Sequence, residues 1–438
     1  MILSFVNEAI KTAESSDTEK IKITKDTGKE IFVDLHIHSR FSRATSKNIT
    51  LPLLVKYARI KGINLLGTGD ISHEKWLAEI RQYLTEKDKT GIYVYKDEKG
   101  EFPFILSGEI SLVFTKNEKG RRVHLVYLAP SLEVNDRINA YFDTKGRRDY
   151  DGRPIFSISC EEFVRELKKI DERIEIIPAH IWTPWFGVFG SKSGFNSLKE
   201  AFGEQEKNIH AIETGMSSDP EMNWKIKELE SKAIVSFSDA HSHWPWRLGR
   251  EATIFIAEDN ITYDLIINQI RNKTFKGTIE TDPGYGIYHY DGHRDCNFSC
   301  PPNKTKELNG ICPVCKKLLT IGVENRVEEL KNFRGIPNNA KPFQKILPLH
   351  ELIAFHLKTK IESKKVAPIY DKLIEKFGNE FNILLKVDKN ILLTELEKDK
   401  LSGLADLIID NRISNLKVQP GYDGVYGKLV EKESQKKL

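Results

Sequence analysis

The pair His36 and His38, which directly follows a strand-like segment, constrains the fold more than any other feature of this chain. The apolar, β-branched run at residues 31–33 predicts a buried strand that ends in the segment 34–39. Residues two apart in an extended chain point to the same side, so these two imidazoles face one metal ion or an adjacent pair. The segment therefore predicts a metal site at the end of the first strand.

Histidine, aspartate or glutamate residues also follow later strand-like runs, at 63–67, 104–106, 123–127, 174–177 and 233–237. Helical patterns at 51–60, 161–169, 221–231 and 263–271 alternate with several of these runs. In a β/α barrel the C-terminal ends of all strands meet on one rim, whereas an open doubly wound sheet collects ligands at one switch point. We therefore expect an α/β barrel. Its expected metal ligands are His36, His38, Asp70, His73, Glu109, His124, His180, Asp239 and His241.

Length and turn-rich segments predict three parts in this chain of 438 residues. A turn-rich stretch begins at residue 281, and helical patterns dominate after residue 337. We expect the barrel over residues 1–280, a small metal-binding module over 281–340 and a helical, basic domain over 341–438. The net charge is only +4, and the excess of lysine and arginine lies after residue 285. This bias fits either a nucleic-acid partner or an ordinary solvated surface.

The cysteines indicate a second metal site in the middle module. Four of the five lie within twenty residues, as Cys296, Cys300, Cys312 and Cys315. Two close pairs separated by a loop are typical of a structural zinc ribbon or knuckle with four thiolate ligands. Disulfides or reduced surface cysteines are the alternative. We expect one structural zinc ion bound by the four thiolates, with no contribution from the nearby histidines at 289 and 293.

Two segments that follow expected ligands are rich in aromatic and basic residues. The segment 181–195 combines five aromatic residues with Gly, Ser and Lys, and the segment 244–250 contains two Trp and two Arg. Aromatic rings stack on exposed bases, and hydroxyl or basic groups bind phosphates. An ordinary packed loop is the alternative. The residues expected to contact DNA are Trp182, Trp185, Phe186, Ser191, Lys192, Ser193, Arg247 and Arg250.

A cluster of imidazoles and carboxylates without thiolate suits divalent ions such as Zn²⁺, Mn²⁺, Fe²⁺ or Mg²⁺, and this many ligands indicate two or three ions. Such a pair of ions suits cleavage of a phosphate ester. Glu109 is the expected bridging carboxylate, and Glu109 and Asp239 are the expected catalytic residues. Glu213 also ends a strand-like run, but it precedes Thr214 and Gly215 and is as well explained as a brace for that loop.

The N-terminal apolar run at residues 1–6 is too short for a signal peptide or a membrane span. We therefore expect a cytoplasmic protein without a membrane partner.

These motifs resemble those of the polymerase and histidinol phosphatase (PHP) superfamily over roughly residues 30–275. The resemblance implies a distorted seven-stranded β/α barrel with a cluster of two or three metal ions. Two departures matter. The second motif of the superfamily has adjacent Asp and His, whereas Asp70 and His73 are three apart here, so either is the ligand. A third histidine of the first motif is absent, with Ser42, Arg43 and Ala44 in its region, which leaves the third metal open.

The whole arrangement, including the cysteine module and the segment 420–424, resembles archaeal DNA repair endonucleases of this superfamily. That resemblance implies metal-dependent nicking on the 5′ side of uracil, hypoxanthine and xanthine and at abasic sites, with damaged DNA as the partner. One alternative is a small-molecule phosphatase of the histidinol-phosphate type, which needs neither the zinc module nor the basic helical domain. A non-catalytic DNA-binding protein with a relic barrel is another. Recruitment by a sliding clamp is left open by the sequence.

Overall fold

The structure is a computed structural model that describes residues 28–258 and 260–431. The apolar run at residues 1–6 lies outside the described residues. The prediction that the chain has no signal peptide rests on this run. Within those residues, every helix is too short or too polar to traverse a lipid bilayer.

The described residues form seventeen strands and fourteen α-helices. The strands are β1 Lys29–Asp34, β2 Leu65–Gly67, β3 Leu84–Glu86, β4 Tyr93–Asp97, β5 Gly100–Lys116, β6 Lys119–Ala129, β7 Ile155–Phe156, β8 Glu175–Pro178, β9 Ala211–Glu213, β10 Ala233–Val235, β11 Ala252–Ala257, β12 Gly277–Glu280, β13 Asp291–His293, β14 Phe298–Cys300, β15 Phe343–Lys345, β16 Lys417–Gln419 and β17 Lys428–Val430. The helices are α1 Leu51–Lys61, α2 Glu74–Tyr83, α3 Leu132–Asp143, α4 Cys160–Ile170, α5 Leu198–Phe202, α6 Pro220–Trp224, α7 Tyr263–Arg271, α8 Pro302–Glu307, α9 Val323–Leu330, α10 Leu349–His356, α11 Val366–Phe377, α12 Glu380–Leu385, α13 Lys389–Glu397 and α14 Ser402–Arg412.

Eleven of the strands form a central sheet, so the fold is mixed α/β as predicted. The strands β1, β2 and β5 are parallel neighbours, and β6 runs antiparallel to both β5 and β8. The strands β9 and β10 form a separate parallel pair. The backbone N–H of Ile181, after β8, donates to the carbonyl of Glu213 in β9 at 3.1 Å, and Ile37, after β1, forms a bridge with Ala240, after β10. These contacts lead from β10 back to the end of β1.

Local signals in the sequence explain the first helix. The Thr50 side chain accepts a hydrogen bond from the backbone N–H of Leu53, and Gly62 ends α1 with a left-handed φ of 98°. A hydroxyl cap satisfies a free N–H at the start of a helix, and glycine adopts the left-handed conformation at its end without a steric cost. Both residues act as predicted.

The β/α alternation is interrupted at two places. Between β5 and β6 the chain makes a tight hairpin, in which Asn117 and Glu118 both adopt positive φ. The helix predicted at 221–231 is divided into α6 and a short 3₁₀ segment, Lys227–Ser231. The interruption at Lys225 leaves its carbonyl free to accept the backbone N–H groups of Asn332 and Phe333. The β/α alternation is therefore less regular than the sequence indicates.

The C-terminal helices pack directly on the sheet region. Lys61 of α1 and Glu380 of α12 form a fully buried ion pair at 2.7 Å, and the hydroxyl of Tyr370 donates to the same carboxylate at 2.7 Å. The rings of Phe32 and Phe381 pack with centroids 4.6 Å apart. Because a buried charge needs its partner, these contacts fix α11 and α12 against α1.

Candidate metal centre

Four side chains converge where β1 and β10 end beside β5, and we call them the first group: His36, His38, Glu109 and Asp239. The Nε2 atom of His38 lies 3.1 Å from Oδ1 of Asp239 and 3.2 Å from Oε2 of Glu109. The Nε2 atom of His36 lies 3.6 Å from each of these oxygens. Ligands of a tetrahedral Zn²⁺ ion are about 2.1 Å from the metal and so about 3.4 Å from one another. The first group therefore has the spacing of a divalent metal site.

A second group consists of Glu109, His124 and His180. Oε1 of Glu109 lies 2.9 Å from Nδ1 of His124 and 3.2 Å from Nε2 of His180. Glu109 thus presents Oε2 to the first group and Oε1 to the second. This is the arrangement expected of a carboxylate that bridges two metal ions.

Two further carboxylates orient the imidazoles of the first group. Nδ1 of His36 hydrogen bonds to Glu213 at 2.8 Å, and Nδ1 of His38 hydrogen bonds to Asp70 at 2.9 Å. A histidine that donates its Nδ1–H to a carboxylate keeps the Nε2 lone pair for a metal ion. The two Nε2 atoms and Oδ1 of Asp239 are buried and have no hydrogen-bond partner among the described residues. Buried polar atoms without a partner are costly, and a divalent ion would satisfy all three.

Burial and neighbouring charges oppose each other in this centre. Burial raises the pKa of Glu109, but the neighbouring His124, Arg153 and His36 outweigh it and hold that pKa well below its usual range. Burial lowers the pKa of His36, but Glu213, Glu109 and Asp239 raise it well above its usual value. For His124 burial dominates and lowers the pKa to about 3. Since a metal ligand must be unprotonated, metal binding at this centre depends on pH.

Four non-glycine residues at the centre adopt a left-handed backbone: Asp70 with φ 47°, His180 with φ 31°, Phe186 with φ 67° and Asp239 with φ 47°. Such conformations cost of order 1 kcal/mol or more each and are common at functional sites. Three of these four residues, Asp70, His180 and Asp239, are predicted metal ligands.

Three of the predicted ligands lie outside both groups. The carboxylate of Asp70 accepts hydrogen bonds from His38, Ser39 and Ser42, so both of its oxygens are engaged. The ring of His73 stacks on Phe41 at 4.5 Å, and its Nε2 hydrogen bonds to the carbonyl of Asp149 at 3.1 Å. Of the two residues left open by the sequence, neither joins a group, and Asp70 instead orients His38.

The third of these, His241, lies at the edge of the centre. Its Nδ1 donates to the carbonyl of Asp239 at 2.8 Å, and its ring centroid is 4.6 Å from that of His38. The side chain is 32% exposed. His241 is therefore a rim residue beside the first group.

One charged residue of the centre, Arg153, is not marked by any motif in the sequence. Its Nη1 donates to Oε2 of Glu109 at 2.9 Å. Arg153 lies in a turn before β7 and not at the end of a strand, so the pattern that identified the ligands could not have found it. Glu213, which the sequence left as a loop brace, holds His36 and also accepts the backbone N–H of His180 at 2.8 Å.

The segment 181–195 packs more deeply than predicted. Trp182 is fully buried, and its indole N–H donates to Asn223 at 2.8 Å. Ser193 is buried and hydrogen bonds to the carbonyl of Arg122. These two residues hold the loop in place and are not free to contact DNA as the structure stands, because their polar atoms already have partners.

The other predicted DNA contacts lie nearer the surface. Trp185 is 37% exposed, Lys192 is exposed, and the Phe186 ring packs on His124 at 4.3 Å. Ser191 lies 3.4 Å from the carbonyl of Ile321 and is half-buried. The two arginines of the second segment, Arg247 and Arg250, are also half-buried.

The cysteine module assembles a different ligand set from the predicted one. His293, Cys296, Cys312 and Cys315 bring their donor atoms within 4.8 Å of one another. Cys300 is buried outside this group, and its thiol shares a hydrogen bond with the hydroxyl of Thr305 at 3.3 Å. All five cysteines lie in the described residues and are free, so the disulfide alternative is wrong.

The position of Cys300 follows from the β13–β14 hairpin. Cys300 pairs with Asp291, two residues along the strand from His293. Two residues of extended chain span roughly 6.6 Å, which carries the Cys300 thiol away from the ligands around His293. In the structure His293 therefore occupies the place in this group that the sequence predicts for Cys300.

A mixed α/β fold that gathers imidazoles and carboxylates into two groups with a shared carboxylate is typical of metal-dependent hydrolases. Residues 348–409 match the family model of the MJ0043 C-terminal domain. The chain is 30% identical to the lesion-specific endonuclease PfuEndoQ of Pyrococcus furiosus, over 92% of this chain and 96% of that one, with a TM-score of 0.81. The chain belongs to the endonuclease Q family and is an endodeoxyribonuclease, which confirms the resemblance inferred from the sequence.

Two further relatives extend the comparison. A structure of endonuclease Q in complex with a 27-mer duplex substrate with an abasic lesion at the active site has a TM-score of 0.80 and 30% identity, over 92% of this chain and 97% of that one. The protein MJ0043 of Methanocaldococcus jannaschii is 30% identical over 295 residues, which are 65% of this chain and 35% of that protein. The matched part thus spans about a third of MJ0043.

Proposed function

We propose that this protein is a DNA repair endonuclease that hydrolyses the phosphodiester on the 5′ side of deaminated bases, namely uracil, hypoxanthine and xanthine, and at abasic sites. The observation that carries the proposal is the double use of Glu109, whose two oxygens face two adjacent groups of metal-ligand side chains. Two similar proteins support damaged DNA as the substrate. PfuEndoQ is a lesion-specific endonuclease, and endonuclease Q binds a duplex with an abasic lesion at its active site.

The proposal includes the architecture that surrounds the centre. The series β1, β2, β5, β6, β8, β9 and β10, which leads back to β1 through Ile37 and Ala240, would be the distorted seven-stranded barrel of the PHP superfamily. In such a barrel the active site lies where the strands end. The ends of β1 and β10 supply His36, His38 and Asp239, in agreement with that rule.

The first and second groups would each hold one divalent ion, Zn²⁺, Mn²⁺ or Mg²⁺. When bound, such a pair supplies a nucleophilic water near neutral pH and neutralises charge on the phosphate. The protein's own part is to keep the ligands rigid. Glu213 and Asp70 fix the rings of His36 and His38, so little reorganisation is needed when the substrate arrives.

Exposure indicates the direction from which the substrate approaches. The side chain of Asp239 is 26% exposed, whereas those of Glu109, His36 and His38 are at most 2% exposed. A phosphate would therefore reach the centre from the side of Asp239. His241 and Arg250 lie on this side, since His241 touches Asp239 and Nε of Arg250 donates to the carbonyl of Ser238 at 3.2 Å.

For the cysteine module we propose one structural zinc ion bound by His293, Cys296, Cys312 and Cys315. Three thiolates and one imidazole are a common closed set for structural zinc. Cys300, Cys312 and Leu319 form a small buried core there, and its size suits a module that a metal ion stabilises.

The decisive experiment uses end-labelled duplexes that carry one uracil, hypoxanthine, xanthine or abasic site, or no lesion, with Mg²⁺, Mn²⁺ or Zn²⁺. We expect a single nick 5′ of each lesion, no nick in the intact duplex and none with Asp239→Asn. Phosphate release from small monoesters without any nick would instead support the phosphatase alternative. Unchanged cleavage by Asp239→Asn would contradict the assignment of the centre.

A further inference from the structure

Arg153 is the one arginine or lysine that makes a direct ion pair with Glu109 among the described residues. Its Nη1 donates to Oε2, the oxygen that faces the first group, at 2.9 Å. The side chain is 20% exposed. Its other guanidinium N–H groups have no acceptor among the described residues, and they are not buried. They therefore reach solvent beside the metal centre and remain available to a ligand.

The turn that carries Arg153 is built against the centre itself. The backbone N–H of Arg153 and that of Arg43 both donate to the carboxylate of Asp151. A Cβ atom on Gly152 would lie 2.1 Å from Oδ2 of Asp70 and 2.3 Å from the hydroxyl of Ser42. Only glycine permits this approach, so the turn is pressed against the carboxylate that orients His38. The position of Arg153 relative to the ligands is thus set by direct contact.

The guanidinium keeps its charge in this position. Burial lowers the pKa of Arg153, but the carboxylates of Glu109 and Asp239 outweigh it and raise that pKa. An arginine has five N–H donors in a fixed planar fork, which suits a phosphate as well as a carboxylate. One donor is used by Glu109, and the others have no acceptor among the described residues.

We propose that Arg153 binds a non-bridging oxygen of the scissile phosphate while it remains paired with Glu109. The inference rests on the proposed function and assigns Arg153 as a catalytic residue that no motif in the sequence marks. It would position the phosphate relative to the bridging carboxylate, and it would add a fixed positive charge where negative charge accumulates during hydrolysis. No proton or bond is transferred to Arg153.

The test compares Arg153→Met and Arg153→Lys with a matched control from the same turn, Arg147→Met. Arg147 is 78% exposed and pairs only with Asp149 among the described residues. We measure single-turnover cleavage of an abasic duplex and the metal content of each protein. We expect Arg153→Met to lower the cleavage rate by about 10²-fold or more, as is typical for loss of one electrostatic contact in an active site. Arg153→Lys should restore part of the rate, and Arg147→Met should match the wild type.

A second measurement separates phosphate contact from a structural role. Binding of an abasic duplex with either a normal phosphate or an uncharged methylphosphonate at the scissile position is measured by fluorescence anisotropy, in an Asp239→Asn background that prevents cleavage. We expect the methylphosphonate to weaken binding when Arg153 is present and to have little further effect in Arg153→Met. Equal discrimination with and without Arg153 would overturn the proposal, as would a loss of metal in Arg153→Met that accounts for its lost activity.

The failure of the inference and the failure of the proposed function give different results. If the wild type cuts lesion duplexes and Arg153→Met cuts them equally well, only the role of Arg153 is wrong. If the wild type neither binds nor cuts any lesion duplex, the proposed function is wrong and the role of Arg153 falls with it.

Discussion

The metal centre and the cysteine module both gather metal-ligand side chains, but they do so in opposite ways. The donors of the centre lie between residues 36 and 239, and two additional carboxylates hold its imidazoles in place. The donors of the module lie within residues 293–315 on one hairpin and one adjacent turn. The centre therefore depends on the whole sheet, whereas the module needs only its own segment.

The difference matches two kinds of metal site. A structural site is closed by four protein ligands, and a catalytic site keeps a position open for water or substrate. The module brings four donor side chains together, whereas the centre is partly exposed at Asp239 and has N–H donors on Arg153 without an acceptor among the described residues. Preorganised, partly open geometry is expected where a reaction occurs, and closed geometry where a metal ion only stabilises the fold.

The largest expected effect follows from the double use of Glu109. Glu109→Gln removes one charge from both groups at once, so we expect cleavage of a uracil duplex to fall by about 10³-fold or more. Single-turnover rates and metal content measure the effect. Glu101→Gln, on the same strand but exposed, should behave as the wild type. Cleavage within tenfold of the wild type would mean that Glu109 does not bridge two ions.

Substitutions in the module should act on stability instead of chemistry. His293→Ala should remove one zinc ion per chain and lower the melting temperature, since zinc affinity contributes directly to folding. Cys300→Ser should keep the zinc ion, because the Cys300 thiol hydrogen bonds to the hydroxyl of Thr305 and lies outside the group of four donor atoms. Metal analysis and thermal unfolding monitored by circular dichroism measure both. Loss of zinc in Cys300→Ser with retention in His293→Ala would restore the ligand set predicted from the sequence.

Substitution of a carboxylate that orients an imidazole should weaken metal binding at the centre. The cysteine module has no counterpart to this effect. Glu213→Gln keeps a hydrogen-bond partner for the His36 ring but removes its charge, and we expect metal affinity at the centre to fall by about 10- to 100-fold. Titration of the metal-depleted centre with Mn²⁺ measures the affinity. Glu221→Gln, an exposed substitution nearby in the sequence, is the control. Unchanged Mn²⁺ affinity would show that Glu213 only braces its loop.

The smallest expected effect is on the pH dependence of protein stability, through the buried carboxyl group of Glu251. Burial raises the pKa of Glu251 from 4.5 to about 8, so the folded state favours the protonated carboxyl. Its stabilisation is complete below pH 4.5, the unfolded value, and is lost as the pH rises through 8. We expect the melting temperature to fall between about pH 4.5 and pH 8, and to fall less in Glu251→Gln, by a few kcal/mol at most in free energy of unfolding. An equal decrease in both proteins would contradict this role of Glu251.

The sequence alone determined the features that depend on neighbouring residues. The spacing of His36 and His38 sets the side to which both imidazoles point, and Thr50 and Gly62 mark the ends of α1 by local hydrogen bonding and backbone freedom. The mixed α/β class follows from such patterns repeated along the chain, and the endonuclease family follows from the resemblance of the motifs to those of known proteins. These features can be predicted from the sequence because the periodicity of strands and helices relates residue spacing directly to side-chain direction.

Only the tertiary structure decided which polar groups take which role. Asp70 is engaged by His38 and two serines, Arg153 reaches Glu109 from a turn without a motif, and His293 replaces Cys300 in the module. Each outcome depends on a partner far away in the sequence or on the register of a hairpin. Coordination and hydrogen bonding act over about 2 to 3 Å, and a sequence pattern does not specify distances on that scale.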